Sequence, residues 1–275
     1  MRRIAQTRLC AYLVRMKNVF YVLLLMQIGY CARASDPADS LTVRTRTSLS
    51  FGLGLNATSL KNETISPLIH SGLSVPVLLA YRRERARSKQ YVQLLYLGHT
   101  LRSRFGYATN ERRGGLAYTY LRRAKQWQRT NLYAGVELAT MAAYRTNEPG
   151  FSNTTGDLIN SANLTALADY TIRQHKLEAQ AALSLIGYNL RSYDNLYFGV
   201  REDSFNGFMS AGRLETPSNF LNGYVRLSYF PPASPGRLAW RFDYVGSFQR
   251  FRQQQYFGVL QHQFITSLIY HFGQK

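Results

Sequence analysis

What this chain lacks narrows the reading first. It has two cysteines in 275 residues, Cys10 and Cys31, and both precede residue 35. Once residues 1–34 are set aside as a leader no thiol remains, which excludes disulfides and thiol chemistry from the mature chain. Acids are scarce: 15 Asp and Glu face 34 Lys and Arg, a formal charge of +19. Arg2, Arg3, Arg8, Arg15, Lys17 and Arg33 belong to the leader, so the remainder keeps 28 basic residues against 15 acids. Such a surplus first suggests nucleic acid. Zinc-ligand spacing, a helix-turn-helix pattern and an aromatic RNP signature are all missing, however, and no nucleic-acid partner is expected. Outside the leader there is no apolar run long enough for a spanning helix. Aromatics, by contrast, are plentiful. Twenty Tyr and 15 Phe coexist with a mean hydropathy of −0.25, a mixture that suits strands with one apolar and one polar face.

Residues 1–34 have the form of a secretory signal, with a basic start, an apolar run from Val19 to Ile28 and a small-residue exit at Ala32 and Ala34. Cleavage is expected after Ala34. The compact form of the signal begins at Met16, so the start is Met1 or Met16. A lipid anchor at Cys31 is the competing reading, against which Tyr30 places a bulky ring where such motifs carry a small residue. Residues 35–40 read as a polar tether.

From residue 41 the pattern has a period of two. Leu41, Val43, Thr45, Thr47, Leu49, Phe51, Leu53 and Leu55 share one face, while Thr42, Arg44, Arg46, Ser48, Ser50 and Asn56 share the other. The chain closes on the same grammar, with Phe264, Thr266, Leu268, Tyr270 and Phe272 opposite Ile265, Ser267, Ile269 and His271. Ten strands are expected, at 41–56, 68–82, 90–103, 115–123, 128–144, 160–173, 176–190, 219–230, 238–249 and 257–272. Their links alternate in length. Long polar ones are expected at 57–67, 104–114, 145–159 and 191–218, with tight turns between; the link at 250–256 is shorter than the pattern asks. The fold class is all-β: a transmembrane antiparallel up-and-down barrel of about ten strands, with 8 to 12 as the range. It spans residues 41–272 and leaves 273–275 as a tail.

Leader, alternation, unequal loops and a closing strand ending at Phe272 together resemble the small outer-membrane β-barrel proteins of Gram-negative bacteria. The resemblance is architectural, with no motif of any one family behind it. It implies a monomer in the bacterial outer membrane, with the tight turns and both termini on the periplasmic side. Its implied partners are outer-membrane lipids, lipopolysaccharide and the barrel-assembly machinery, for which Tyr270 and Phe272 would form the recognition signal. Gly273, Gln274 and Lys275 follow, so the terminal aromatic is not the last residue.

Enzymes of such barrels leave marks that can be looked for. Phospholipases and lipid A deacylases carry a Ser two residues beyond a His, but the residues at that spacing here are Gly72, Leu101, Leu177, Phe264 and Gly273. An omptin-like His-x-Asp pair is also missing, and no histidines have metal-ligand spacing, so no catalytic residue, metal or other cofactor is expected. The candidate lumen network is Arg44, Arg46, Glu137, Asp169, Glu178, Arg241 and Asp243, read as a self-satisfied salt-bridged interior or as a constriction for small solutes. Gly135, Ala139, Ala182 and Ser184 would leave such a passage room. The tight turns gather Arg82, Arg83, Arg85, Arg87 and Lys89, then Arg122, Arg123, Lys125 and Arg129, then Arg173 and Lys176, then Arg237. They form a basic rim that meets lipid phosphates or an anionic periplasmic partner. In the link 191–218, Tyr193, Tyr197, Phe198, Arg201, Phe205 and Phe208 are the candidate loop contacts. The expected function is non-enzymatic: binding through extracellular loops, or passage of small polar solutes through a narrow lumen. A lipid-modifying hydrolase, its groups drawn from separate strands, is the alternative.

Overall fold

The computed structural model describes residues 45–63, 66–148, 154–193, 212–232, 237–252 and 256–272. Twelve strands make one antiparallel sheet: β1 (Arg46–Asn62), β2 (Ser66–Ser74), β3 (Val77–Glu84), β4 (Ser88–Ser103), β5 (Ala108–Trp127), β6 (Thr130–Glu148), β7 (Thr154–Ile172), β8 (His175–Tyr193), β9 (Arg213–Glu215), β10 (Phe220–Phe230), β11 (Leu238–Phe251) and β12 (Phe257–Phe272).

Ten of these positions form the wall. β2 and β3 both lie between β1 and β4 and are halves of one strand. They part at Val75 and Pro76, because proline has no N–H to give the ladder. β9 is a three-residue addition beside Gly187–Asn189 of β8. β10 returns to pair with β8, and β1 zips to β12 from Thr47 opposite Phe272 to Asn62 opposite Phe257. The ladder therefore closes, which removes the unpaired edges an open sheet would expose to lipid.

The period of two sorts the wall into two solvents. On β1, Leu49, Phe51, Leu53 and Leu55 are exposed outward while Ser48, Ser50, Asn56 and Thr58 are buried. On β11, Leu238, Trp240 and Phe242 point out, with Arg241 and Asp243 buried between them. Apolar outside and polar inside is the inverse of a water-soluble barrel, and it is the pattern of a membrane-spanning one. β12 keeps the expected faces, and Val92, Leu94 and Tyr96 of β4 point outward.

All ten expected strands are present, but most are longer than expected. β1 runs to Asn62 rather than 56, with residues 41–44 outside the described residues. The link expected at 57–67 shrinks to a hairpin tip between Asn62 and Ser66, and that at 104–114 shrinks to residues 104–107. β6 continues to Glu148 and β7 begins at Thr154, which leaves little of the link at 145–159. Beyond the membrane both faces of a hairpin meet water or its own polar neighbours, so apolar alternation stops while backbone pairing continues. The barrel consequently has a turn end, carrying the start of β1 and the end of β12, and a hairpin end where paired strands extend.

Candidate functional site in the filled lumen

Inward positions at the turn end converge on one ion cluster. Arg82 of β3 reaches across the lumen to Glu178 of β8, donating to one carboxylate oxygen at 2.8 Å and to the other by a shorter contact. It also bonds Glu84 two residues along its own strand at 2.6 Å. Lys89 bridges Asp169 at 2.5 Å and Glu178 at 3.1 Å, and Lys176 contacts Glu178 at 2.9 Å. Asn131 gives Asp169 a further bond at 2.9 Å. Around these charges lie Tyr91, Leu121, Tyr133 and Leu167. Lys89 sits 4.5 Å from the centre of the Tyr133 ring and Arg82 sits 4.8 Å from that of Tyr91, the cation–π contacts of a desolvated cluster.

At mid-height Glu137 is buried, with neutral donors around it. It accepts from Thr119 at 3.0 Å, Asn163 at 2.9 Å and the Tyr224 hydroxyl, which itself accepts from Gln180. Beside Arg82 and Glu178 of the turn-end cluster, Arg241 pairs with Asp243 at 2.8 Å and Arg226 donates to Gln93 at 2.7 Å.

A second ion cluster lies toward the hairpin end. Glu111 accepts from Arg113 at 2.6 Å and from Arg145 at 3.1 Å, and Arg145 also pairs with Asp157. Arg113 reaches Gln261 at 3.0 Å, which joins β5 to β12 across the lumen. His99 donates from Nε2 to Glu111 at 3.0 Å, which leaves Nδ1 to accept from the Ser74 hydroxyl at 3.1 Å. Asn56 donates to the same hydroxyl oxygen at 2.8 Å. Serine, histidine and glutamate thus meet in the order used by nucleophilic hydrolases.

Above this cluster the lumen turns apolar. Leu60, Leu101, Ile159, Phe220, Phe251, Phe257 and Val259 pack together, with Met141 against them. Arg145 stacks 5.1 Å from the centre of the Phe257 ring, which ties cap to cluster. Gly135, Ala139, Ala182 and Ser184 occupy inward positions of β6 and β8. Two lumenal cavities are small: about 100 Å³ beside Arg113, Met141, Gln249 and Gln261, and about 20 Å³ beside Arg82, Glu178 and Arg226. They have room for a few waters and for one, since roughly 10–15 Å³ of such volume admits a single water.

At the hairpin tip beyond the wall, Lys61 pairs with Glu63 at 2.8 Å, and the backbone N–H of Tyr256 donates to that carboxylate at 3.2 Å. These two hydrogen bonds hold the Glu63 carboxyl below the usual carboxylate range.

The expected lumen residues are therefore distributed rather than gathered. Asp169 and Glu178 belong to the turn-end cluster, Glu137 to mid-height, and Arg241 and Asp243 to each other. Arg46 is exposed at the start of β1, opposite Glu84 in register but outside the ion pairs among the described residues. Arg44 lies outside the described residues. Three cations expected on the rim, Arg82, Lys89 and Lys176, belong instead to the lumen cluster, because their strand parity and three acids pull them inward. Sequence reading missed Glu111, Arg113, Arg145 and Asp157 altogether, having placed them in or beside links. Their alternation within 109–113 and 143–157 was the available signal. His70 is buried on β2 within 3.5 Å of the Thr109 hydroxyl. Tyr270 and Phe272 point outward at the turn end, their rings edge to face at 5.0 Å. Tyr193 ends β8 with its side chain outside the described residues, as are Tyr197, Phe198, Arg201, Phe205 and Phe208 entirely.

No family model matches the sequence, and no curated protein is detectably similar to it. Solved structures of similar architecture exist at low sequence identity. The outer-membrane protease OmpT of Escherichia coli is 8% identical with a TM-score of 0.47, over 86% of this chain and 99% of that one. The translocator domain of the autotransporter NalP of Neisseria meningitidis is 10% identical with a TM-score of 0.42, over 92% and 97%. Neisserial surface protein A is 8% identical with a TM-score of 0.33, over 81% and 96%. The likeness is one of barrel architecture and extends to no activity.

Proposed function

We propose that this chain is a monomeric outer-membrane barrel that works without a through-passage and binds through its hairpin end. The observation that carries this reading is the filled lumen. Two cross-lumen ion clusters brace the wall from β3 to β8 and from β5 to β12, and an apolar cap stands over them. A pathway for polar solutes would need a continuous polar channel, and the apolar cap interrupts one. What is left for interaction is the outer surface of the extended hairpins. The decisive experiment is reconstitution into planar bilayers of protein shown to be folded by heat-modifiable gel migration. Silent bilayers are expected, and discrete conductance steps would restore the solute-passage reading.

One observation favours a hydrolase as the second reading, namely the Ser74–His99–Glu111 alignment. Two features weigh against it. Glu111 is already neutralised by two arginines, and Ser74 is nearly buried on the lumen face, away from lipid. A fluorophosphonate probe checks this directly. The folded protein should remain unlabelled, and labelling lost in Ser74→Ala would establish the hydrolase.

A further inference from the structure

The charge surplus has a definite location. At the turn end, among the described residues, each strand acid is engaged inside the lumen. Glu84 and Glu178 hold Arg82 and Lys176, Asp169 holds Lys89, and Asp243 holds Arg241. The outer wall at the same height is left with cations alone.

Those cations are arranged. On β3 successive outward positions read Leu79, Tyr81, Arg83, and on β5 they read Leu116, Tyr118, Tyr120, Arg122. Across β1 from β3, Arg237 donates to the hydroxyl of outward-facing Tyr270 on β12 at 3.1 Å, and Leu268 continues that stripe into the apolar belt. Each stripe therefore runs from hydrocarbon through a tyrosine to a guanidinium. The same order is found in an amphiphile lying against the wall: acyl chain, interface, charged head. The cations are arginines, as are 28 of the chain's 34 basic residues. A guanidinium fork engages two phosphate oxygens at once, which an ammonium does not.

We propose that Arg83, Arg122 and Arg237 form a phosphate-binding collar that holds anionic phospholipid headgroups of the leaflet at the turn end. The inference rests on the membrane-spanning reading. A soluble anionic polymer would meet cations pointing away from the membrane. These three instead lie on the outer wall, continuous with the apolar belt.

The test is native mass spectrometry of folded protein in mild detergent, titrated with phosphatidylglycerol or phosphatidylcholine. Wild-type protein should retain phosphatidylglycerol preferentially. The triple variant Arg83→Gln/Arg122→Gln/Arg237→Gln should lose about tenfold or more of that retention, and the matching triple Lys variant should keep part of it. Undiminished retention in the Gln variant, or equal retention of the two lipids by wild type, overturns the collar. So does displacement of bound lipid by polyphosphate at equal phosphate concentration, which reassigns the site to a soluble polymer. Heat-modifiability of the same samples separates the two levels. A chain that does not fold in lipid sinks the membrane-spanning reading itself, whereas one that folds and shows no anionic preference sinks only the collar.

Discussion

At the scale of single residues, the lumen distinguishes charges that lean on charges from those that lean on dipoles. Glu111 is the shared acid of Arg113 and Arg145, so Glu111→Gln leaves buried cations short of a partner. That substitution is expected to cost about 3–5 kcal/mol. Glu137→Gln keeps its neutral surroundings and is expected to cost about 1–3 kcal/mol. Urea unfolding of both variants in the same lipid checks the order, and a Glu137 variant that is the less stable of the two would reverse it. Little of this was readable beforehand. Glu178 and Asp169 stood out because they interrupt apolar strands, but Arg82 and Lys89 lie next to turns crowded with arginine and read as rim. Only the cross-lumen distance between β3 and β8, ninety-six residues apart in sequence for Arg82 and Glu178, reveals their common cluster.

At the scale of elements, the β1–β12 seam carries the closure. Gly54 makes the tightest approach there, since a Cβ at that position would come within 1.9 Å of the Phe264 carbonyl oxygen. Gly114 on β5 has open space at the same point. Gly54→Ala should therefore lower stability by about 2 kcal/mol or more, while Gly114→Ala is nearly neutral; equal unfolding midpoints would show that the seam tolerates a side chain. The outer end of the same seam is Phe272, paired with Thr47. Deleting Phe272 is expected to reduce membrane insertion in cells severalfold, measured as the heat-modifiable fraction, and unchanged assembly would deny it a role as signal. Strand positions and faces were legible because lipid and lumen impose opposite demands on alternate residues. Strand lengths were not, because Thr109, Asn110, Glu111 and Arg112 look like loop to any test of apolar alternation, although they are paired on both sides.

For the molecule as a whole, two properties that could be separated occur together: the wall spans a membrane, and its lumen is filled. The first was legible in the alternation of β1 and β12. The second was left open between a self-satisfied interior and a constriction, since composition cannot say whether inward charges meet or line a gap. The chain from residue 35 onward has no cysteine, so single cysteines along β12 can carry a fluorophore without background. With the protein reconstituted in liposomes, labels at 264, 266, 268 and 270 should be quenched by a lipid-phase quencher. Labels at 265, 267 and 269 should be quenched neither by that reagent nor by aqueous iodide. Iodide access to the inward series would contradict the filled lumen, and iodide access to the outward series would contradict the membrane-spanning wall.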